Sequence, residues 1–156
     1  MIYVAREISV NGTRGSDDPT LNREQVWAGL KMKADNALPF VPVMSKCEVL
    51  ERTERGLTRD IEIRGVPARE KITLYANEKV VFLRLSGPAD GFIVNEILTD
   101  ASGDLKLRFS FALQLVDAPS DSPKEKEFRA VMERDYLAAV DATLAAIRRA
   151  VKENKL

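Results

Sequence analysis

Histidine is absent from this 156-residue sequence, and cysteine occurs once, at Cys47. Without histidine there is no Ser-His or Cys-His dyad, and the commonest general base and the commonest zinc ligand besides cysteine are both missing. One cysteine cannot close an intramolecular disulfide, which points to a reducing, cytoplasmic setting. No histidine or basic run flanks Cys47, so an inert buried thiol is expected there rather than a nucleophile. Charge bias is absent as well: 24 basic residues balance 24 acidic ones. No bulk field would draw in nucleic acid or an anionic membrane. No apolar run approaches the roughly 18 residues of a membrane span, and Arg6 interrupts the N-terminal apolar stretch before a signal peptide can build. The P-loop, dinucleotide, H-E-x-x-H and C-x-x-C patterns are missing too. Nucleotide hydrolysis and metal sites built on histidine or C-x-x-C are thereby disfavoured, and neither a cofactor nor a metal is expected.

What is present is ordinary globular composition, 45% apolar and 31% charged, at a length that suits one domain over residues 1–156. Met1 to Val10 reads as a strand, and the turn-forming residues from Asn11 to Pro19 read as a loop. A helix then starts at Asn22, with Gln25 completing a capping box and Leu21 and Val26 in hydrophobic-staple positions. Val26, Trp27 and Leu30 form its apolar stripe, which ends near Asp35-Asn36. Leu38-Pro39-Phe40-Val41-Pro42 predicts a short turn of helix and then a rigid apolar corner, because proline lacks an N–H and restricts its predecessor.

From Lys46 to Leu115 the period changes to two. Strands are expected at 46–52, 57–64, 68–76, 79–85, 92–99 and 104–115, with breaks short enough for an antiparallel meander. The last is the clearest: Leu105, Leu107, Phe109, Phe111, Leu113 and Leu115 share one face. Ser122-Pro123-Lys124-Glu125 then combines a serine cap, proline at the first helical position and glutamate at the third. Apolar residues recur at helical spacing from Phe128 to Val151, and Arg148, Arg149 and Lys152 complement the negative helix end.

The expected architecture is α+β. A seven-stranded antiparallel sheet wraps around a long C-terminal helix, with two short helices between the first and second strands. A twisted sheet gripping one helix leaves space between two surfaces of unequal curvature, the natural place for a ligand. This order of elements resembles the helix-grip fold of the START and birch-pollen-allergen superfamily, also called SRPBCC. More narrowly, Leu21-Asn22-Arg23-Glu24-Gln25-Val26-Trp27-Ala28-Gly29-Leu30, the Phe40-Val41-Pro42 corner and Gly56-Leu57-Thr58-Arg59 are similar to the AtaL-like branch. The resemblance covers nearly the whole chain and implies a cavity for an apolar or amphipathic small molecule. The superfamily includes lipid carriers, hormone receptors, polyketide cyclases and dehydratases, so the fold leaves the activity open.

Arg59 shares strand parity with Leu57, Ile61 and Ile63, and an arginine on an apolar face must be paired or bind something. With a two-residue turn at Gly65-Val66, Arg59 would face Ile72 and Glu70 would lie diagonally beside it on the same face. Glu96, between Val94 and Leu98, is a second carboxylate expected inside. These residues would either form the polar end of a ligand pocket or make a structural ion pair. Trp27, Phe40, Phe109, Phe111 and Tyr136 could line the cavity or simply be core. Tyr136 is the better contact, since its hydroxyl needs a partner the apolar sheet does not supply.

Three functions fit. The first is binding of a small hydrophobic or amphipathic molecule. The second is a cyclase, dehydratase or isomerase acting on a polyketide-like or aromatic substrate, with Glu70 or Glu96 as base and Arg59 or Tyr136 stabilising an enolate. The third is a protein-interaction module or homodimer, using Ile93 and Ile97 on the face opposite Val94 and Leu98.

Overall fold

The computed structural model describes all 156 residues. β1 (Ile2–Ser9) leads to α1 (Arg23–Asp35), followed by β2 (Met44–Thr53), β3 (Gly56–Ile63), β4 (Val66–Tyr75), β5 (Lys79–Ser86), β6 (Ala89–Thr99), β7 (Leu105–Leu115) and α2 (Pro123–Lys152). The strands form one antiparallel sheet ordered β1-β7-β6-β5-β4-β3-β2, so the meander holds and β1 returns beside β7. One expected element is missing: a single helix, not two, separates β1 from β2. At Leu38–Pro42 the chain only turns. The amides of Phe40 and Val41 both donate to the Ala37 carbonyl, and Pro39 and Pro42 have no N–H with which to extend that turn.

Both helix starts follow their capping signals. Asn22 accepts from the Gln25 amide while the Gln25 side chain returns to Asn22, and Ser122 accepts from the Glu125 amide just before Pro123. α2, 30 residues and therefore about 45 Å long, crosses the inner sheet face and buries Met132, Ala139, Val140, Leu144 and Ile147. On the sheet, Leu107, Phe109, Phe111, Leu113 and Leu115 are all buried, as their alternation requires. α1 closes one end, and Gly29 lets it approach α2: a Cβ there would stand 2.3 Å from Ile147 Cγ1. No helix is long and apolar enough to cross a membrane.

Two registers differ from expectation. The β3–β4 turn is Arg64-Gly65, both with positive φ (50° and 78°), as a tight hairpin of the I′ kind requires. Arg59 therefore pairs directly with Glu70 rather than with Ile72. Moving a two-residue turn by one position slips the pairing by an even step, so both side chains keep the inner face. In β6 the parity is reversed. Ile93, Asn95 and Ile97 are buried, while Glu96 lies with Val94 and Leu98 on the outer face and pairs with Arg108. Apolar residues occupy both parities of β6, so alternation alone cannot orient it. Pairing with β7 decides, setting Asn95 opposite Phe109 and Ile97 opposite Leu107. Ile93 and Ile97 therefore offer no outer-face dimer contact; the exposed apolar residues there include Tyr3, Tyr75, Leu83 and Phe92.

Candidate functional site

The inner face carries one lateral row of charge. Arg59 on β3, Glu70 on β4 and Arg84 on β5 are successive cross-strand partners, and all three are buried. Glu70 Oε1 accepts from Arg59 Nε at 3.1 Å and Nη2 at 3.0 Å, and Oε2 accepts from Arg84 Nε at 3.0 Å. Arg59 Nη1 donates to the carbonyls of Lys33 and Ala34 at 2.9 Å each. It thus satisfies the last turn of α1 and places a cation at the negative end of that helix. Arg59 also reaches Cys47 Sγ at 3.5 Å, which leaves the half-buried thiol engaged as an acceptor.

Arg84 differs from Arg59 in one respect. Only its Nε is engaged, so both terminal nitrogens of a buried guanidinium lack a protein partner. A bulge sits beside it, because Arg69 pairs with Ser86 and Glu70 with Arg84, leaving Leu85 unpaired. Bulges bend a strand and re-aim neighbouring side chains. Beyond Arg84 the row meets Gly91, which contributes no side chain.

A second buried cation projects from α1. Lys33 is buried, its Nζ donates to Asn95 Oδ1 at 2.7 Å, and it lies 4.2 Å from the centre of the Phe109 ring. Burial first and the nearby Arg59 charge second lower its pKa from 10.5 to about 7, a shift that Glu70 only partly opposes.

These groups surround an interior cavity of about 60 Å³ between the sheet and α2, lined by Lys33, Arg59, Glu70 and Arg84 beneath Met132, Asp135, Tyr136 and Ala139. Tyr136 packs its ring 4.5 Å from Phe111, and burial raises its phenol above the ordinary value, so the hydroxyl stays a donor. Next to the cavity lies an open groove of about 320 Å³ between the β3–β4 hairpin and the start of α2. Ile63, Arg84, Met132 and Asp135 line both spaces. Across the groove, Arg64 grips Asp135 with two bonds, Nε to Oδ2 at 2.9 Å and Nη2 to Oδ1 at 2.6 Å.

Of the residues singled out by sequence, Arg59, Glu70 and Tyr136 line the interior cavity. Trp27 and Phe40 are core residues away from it, and Phe109 reaches it only through its contact with Lys33. Glu96 lies on the other side of the sheet. Glu70 has both carboxylate oxygens occupied by guanidinium groups, which leaves it a poor general base. Lys33, Arg84 and Asn95 were not anticipated. Lys33 lies at helical spacing from Val26 and Leu30, so the apolar stripe of α1 could have revealed it. Arg84 shares parity with Val80 and Phe82, but Val81, Leu83 and Leu85 fill the opposite parity and hide that signal.

Comparison with known proteins agrees with this fold. The sequence profile of the family AtaL, acetylaranotin biosynthesis cluster protein L, matches residues 8–154. No curated protein matches by sequence. Among solved structures, the chain is similar to the Zhui aromatase/cyclase from Streptomyces sp. R1128, at 18% identity and a TM-score of 0.73, covering 96% of this chain and 95% of that one. It is also similar to a START superfamily protein from Mycobacterium smegmatis, at 14% identity and a TM-score of 0.65, covering 93% and 98%. Ara h 8.0201 gives 13% identity and a TM-score of 0.62, covering 94% and 97%. At such identities the likeness concerns the helix-grip fold.

Proposed function

The chain belongs to the AtaL family, and on that premise we propose that it binds a small amphipathic molecule by an acidic or oxygen-rich head. The observation that carries this is the donor surplus inside the cavity. Arg59 and Arg84 face one carboxylate, Glu70, whose oxygens they already occupy. Arg84 keeps free N–H groups, and Lys33 and Tyr136 add donors around the same space. Asp135, the second carboxylate in the lining, is already held by Arg64, so the free donors of Arg84 favour a carboxylate, phenolate or enolate oxygen. The apolar body of such a ligand fits the groove, where Ile63, Val66, Pro88, Phe128 and Val131 stand next to Arg84.

Titration calorimetry with aromatic carboxylic acids and their methyl esters tests this. A charge-assisted hydrogen bond contributes about 1.5–3 kcal/mol, so acids should bind roughly 10- to 100-fold more tightly than esters. Arg84→Met should remove most of that difference, while Arg59 still pairs with Glu70. Equal binding of acid and ester, or full affinity in Arg84→Met, would overturn the assignment.

An enzymatic alternative, cyclase, dehydratase or isomerase chemistry on a polyketide-like or aromatic substrate, is favoured by one feature: the cavity contains a buried amine, Lys33, whose pKa burial pushes down to about 7. The single free cysteine accords with the cytoplasm as its location.

A further inference from the structure

We propose that Lys33 is a reactive amine that captures carbonyl compounds, aldehydes and β-dicarbonyls, in this cavity as reversible imines. The inference rests on the binding reading above only in using the same cavity. Three observations place it at Lys33. Its Nζ lies in the interior without a carboxylate partner; its one hydrogen bond goes to the amide oxygen of Asn95. It lines the cavity together with Tyr136 and Arg84, whose N–H and O–H groups can hold a carbonyl oxygen. Its own backbone is anchored, because Arg59 Nη1 holds the Lys33 carbonyl at 2.9 Å.

The surroundings favour the free amine. From β3 Arg59 repels the ammonium form and from β4 Glu70 attracts it, Arg84 on β5 and Asp135 on α2 stand around the same cavity, and desolvation outweighs the attraction. A desolvated lysine beside another cation is the arrangement that makes an amine nucleophilic near neutral pH. In the step, the Nζ lone pair attacks the carbonyl carbon and a C–N bond forms. The carbonyl oxygen collects the two protons that nitrogen loses and leaves as water, so nothing is oxidised or reduced. Tyr136, kept protonated by burial, can donate to that oxygen.

The test uses the full chain with glyoxylate, an aldehyde with no body beyond its carboxylate and so matched to the small cavity, and sodium cyanoborohydride, read by intact mass and peptide mapping. A surface lysine with a pKa near 10.4 is about one part in 2,500 neutral at pH 7, whereas Lys33 would be about half neutral. An adduct mapped to Lys33, counted apart from the Met1 α-amine and at least 10-fold above every other lysine, with half-maximal trapping near pH 7, is expected. Lys33→Arg, which keeps the charge, and Lys33→Met should both lose it; the mapping and pH profile in the wild-type chain stand even if either variant folds poorly. Adducts confined to surface lysines, or a Lys33 profile that rises only near pH 10, would overturn the proposal. Benzoate as competitor separates the two readings. Trapping at Lys33 that benzoate does not slow counts against the acid-binding reading alone, and benzoate binding with no adduct counts against Lys33 alone.

Discussion

Glu70→Gln is the substitution with the largest expected cost. The carboxylate is 2% exposed and accepts three hydrogen bonds from two guanidinium groups that are themselves buried. Glutamine keeps the volume and one acceptor oxygen, but it removes the only negative charge in the row and turns an amide N–H toward an arginine. Arg59 retains the carbonyls of Lys33 and Ala34, so its geometry survives while its charge loses compensation. Removing one partner of a buried ion pair costs about 3–5 kcal/mol, because the remaining charge stays desolvated. For a chain of this length that lowers Tm by roughly 6–20 °C. Urea unfolding followed by circular dichroism should show a lower midpoint at an unchanged m value. Replacing Arg59, Glu70 and Arg84 together by methionine should recover most of the loss, since the cost lies in leaving charges unpaired rather than in lacking the pair. A loss below about 1 kcal/mol for Glu70→Gln would refute the reasoning, for then the row would behave as a hydrated surface pair.

Gly29→Ala should destabilise by about 1–3 kcal/mol even though alanine gains about 1 kcal/mol in helix propensity, because its Cβ would stand 2.3 Å from the side chain of the buried Ile147; a thermal melt at or above the wild-type value would show that the two helices can part without cost. Lys33→Met should stabilise the chain most below neutral pH. Between the folded pKa of about 7 and the unfolded value of 10.5 the unfolded chain holds the extra proton, so wild-type stability rises with pH across that window and the penalty is complete below it. The advantage of the variant should therefore be on the order of a few kcal/mol at pH 6 and shrink toward pH 10. Paired urea titrations at pH 6, 8 and 10 check this, and a pH-independent difference would contradict it.

The fold was legible because its strongest local signals agree with one another. The Asn22 and Ser122 caps, the alternation of Leu107, Phe109, Phe111, Leu113 and Leu115, and the short breaks between strands all require the same sheet and helix. Side-chain placement was legible only where one parity is plainly apolar. β3 reads Leu57, Arg59, Ile61 against Thr58, Asp60, Glu62, so Arg59 could be placed indoors from sequence even though its turn was misplaced. β5 and β6 carry apolar residues on both parities, since their outer faces present Val81, Leu83, Phe92 and Val94. There the orientation is set by pairing with neighbours, information that no local window holds. Arg84 and Asn95 were hidden, and Glu96 misplaced, by that same two-sided character.

The size of the cavity constrains any occupant more tightly than its chemistry does. About 60 Å³ is room for a few waters or a small functional group, not for an aromatic or polyketide-sized body. The groove beside it has about 320 Å³ and shares Arg84 and Asp135 with the cavity. A ligand that fits without rearrangement must therefore lie with its body outside and only its head within, and Arg84 is the one buried cation that lines both spaces. For such a ligand the Arg64–Asp135 pair would stand at the entry. Asp135 is largely buried on α2, whereas Arg64, about half exposed, sits on the hairpin turn; swinging Arg64 out leaves the Asp135 carboxylate without its partner, so opening costs more than breaking an exposed pair. Deeper insertion would require α2 and the hairpin to separate, which breaks that pair and uncovers Met132 and Ile63. On the acid-binding function proposed above, selectivity between small acids and larger ones would be set at the Arg64–Asp135 contact, and affinity for the head at Arg84.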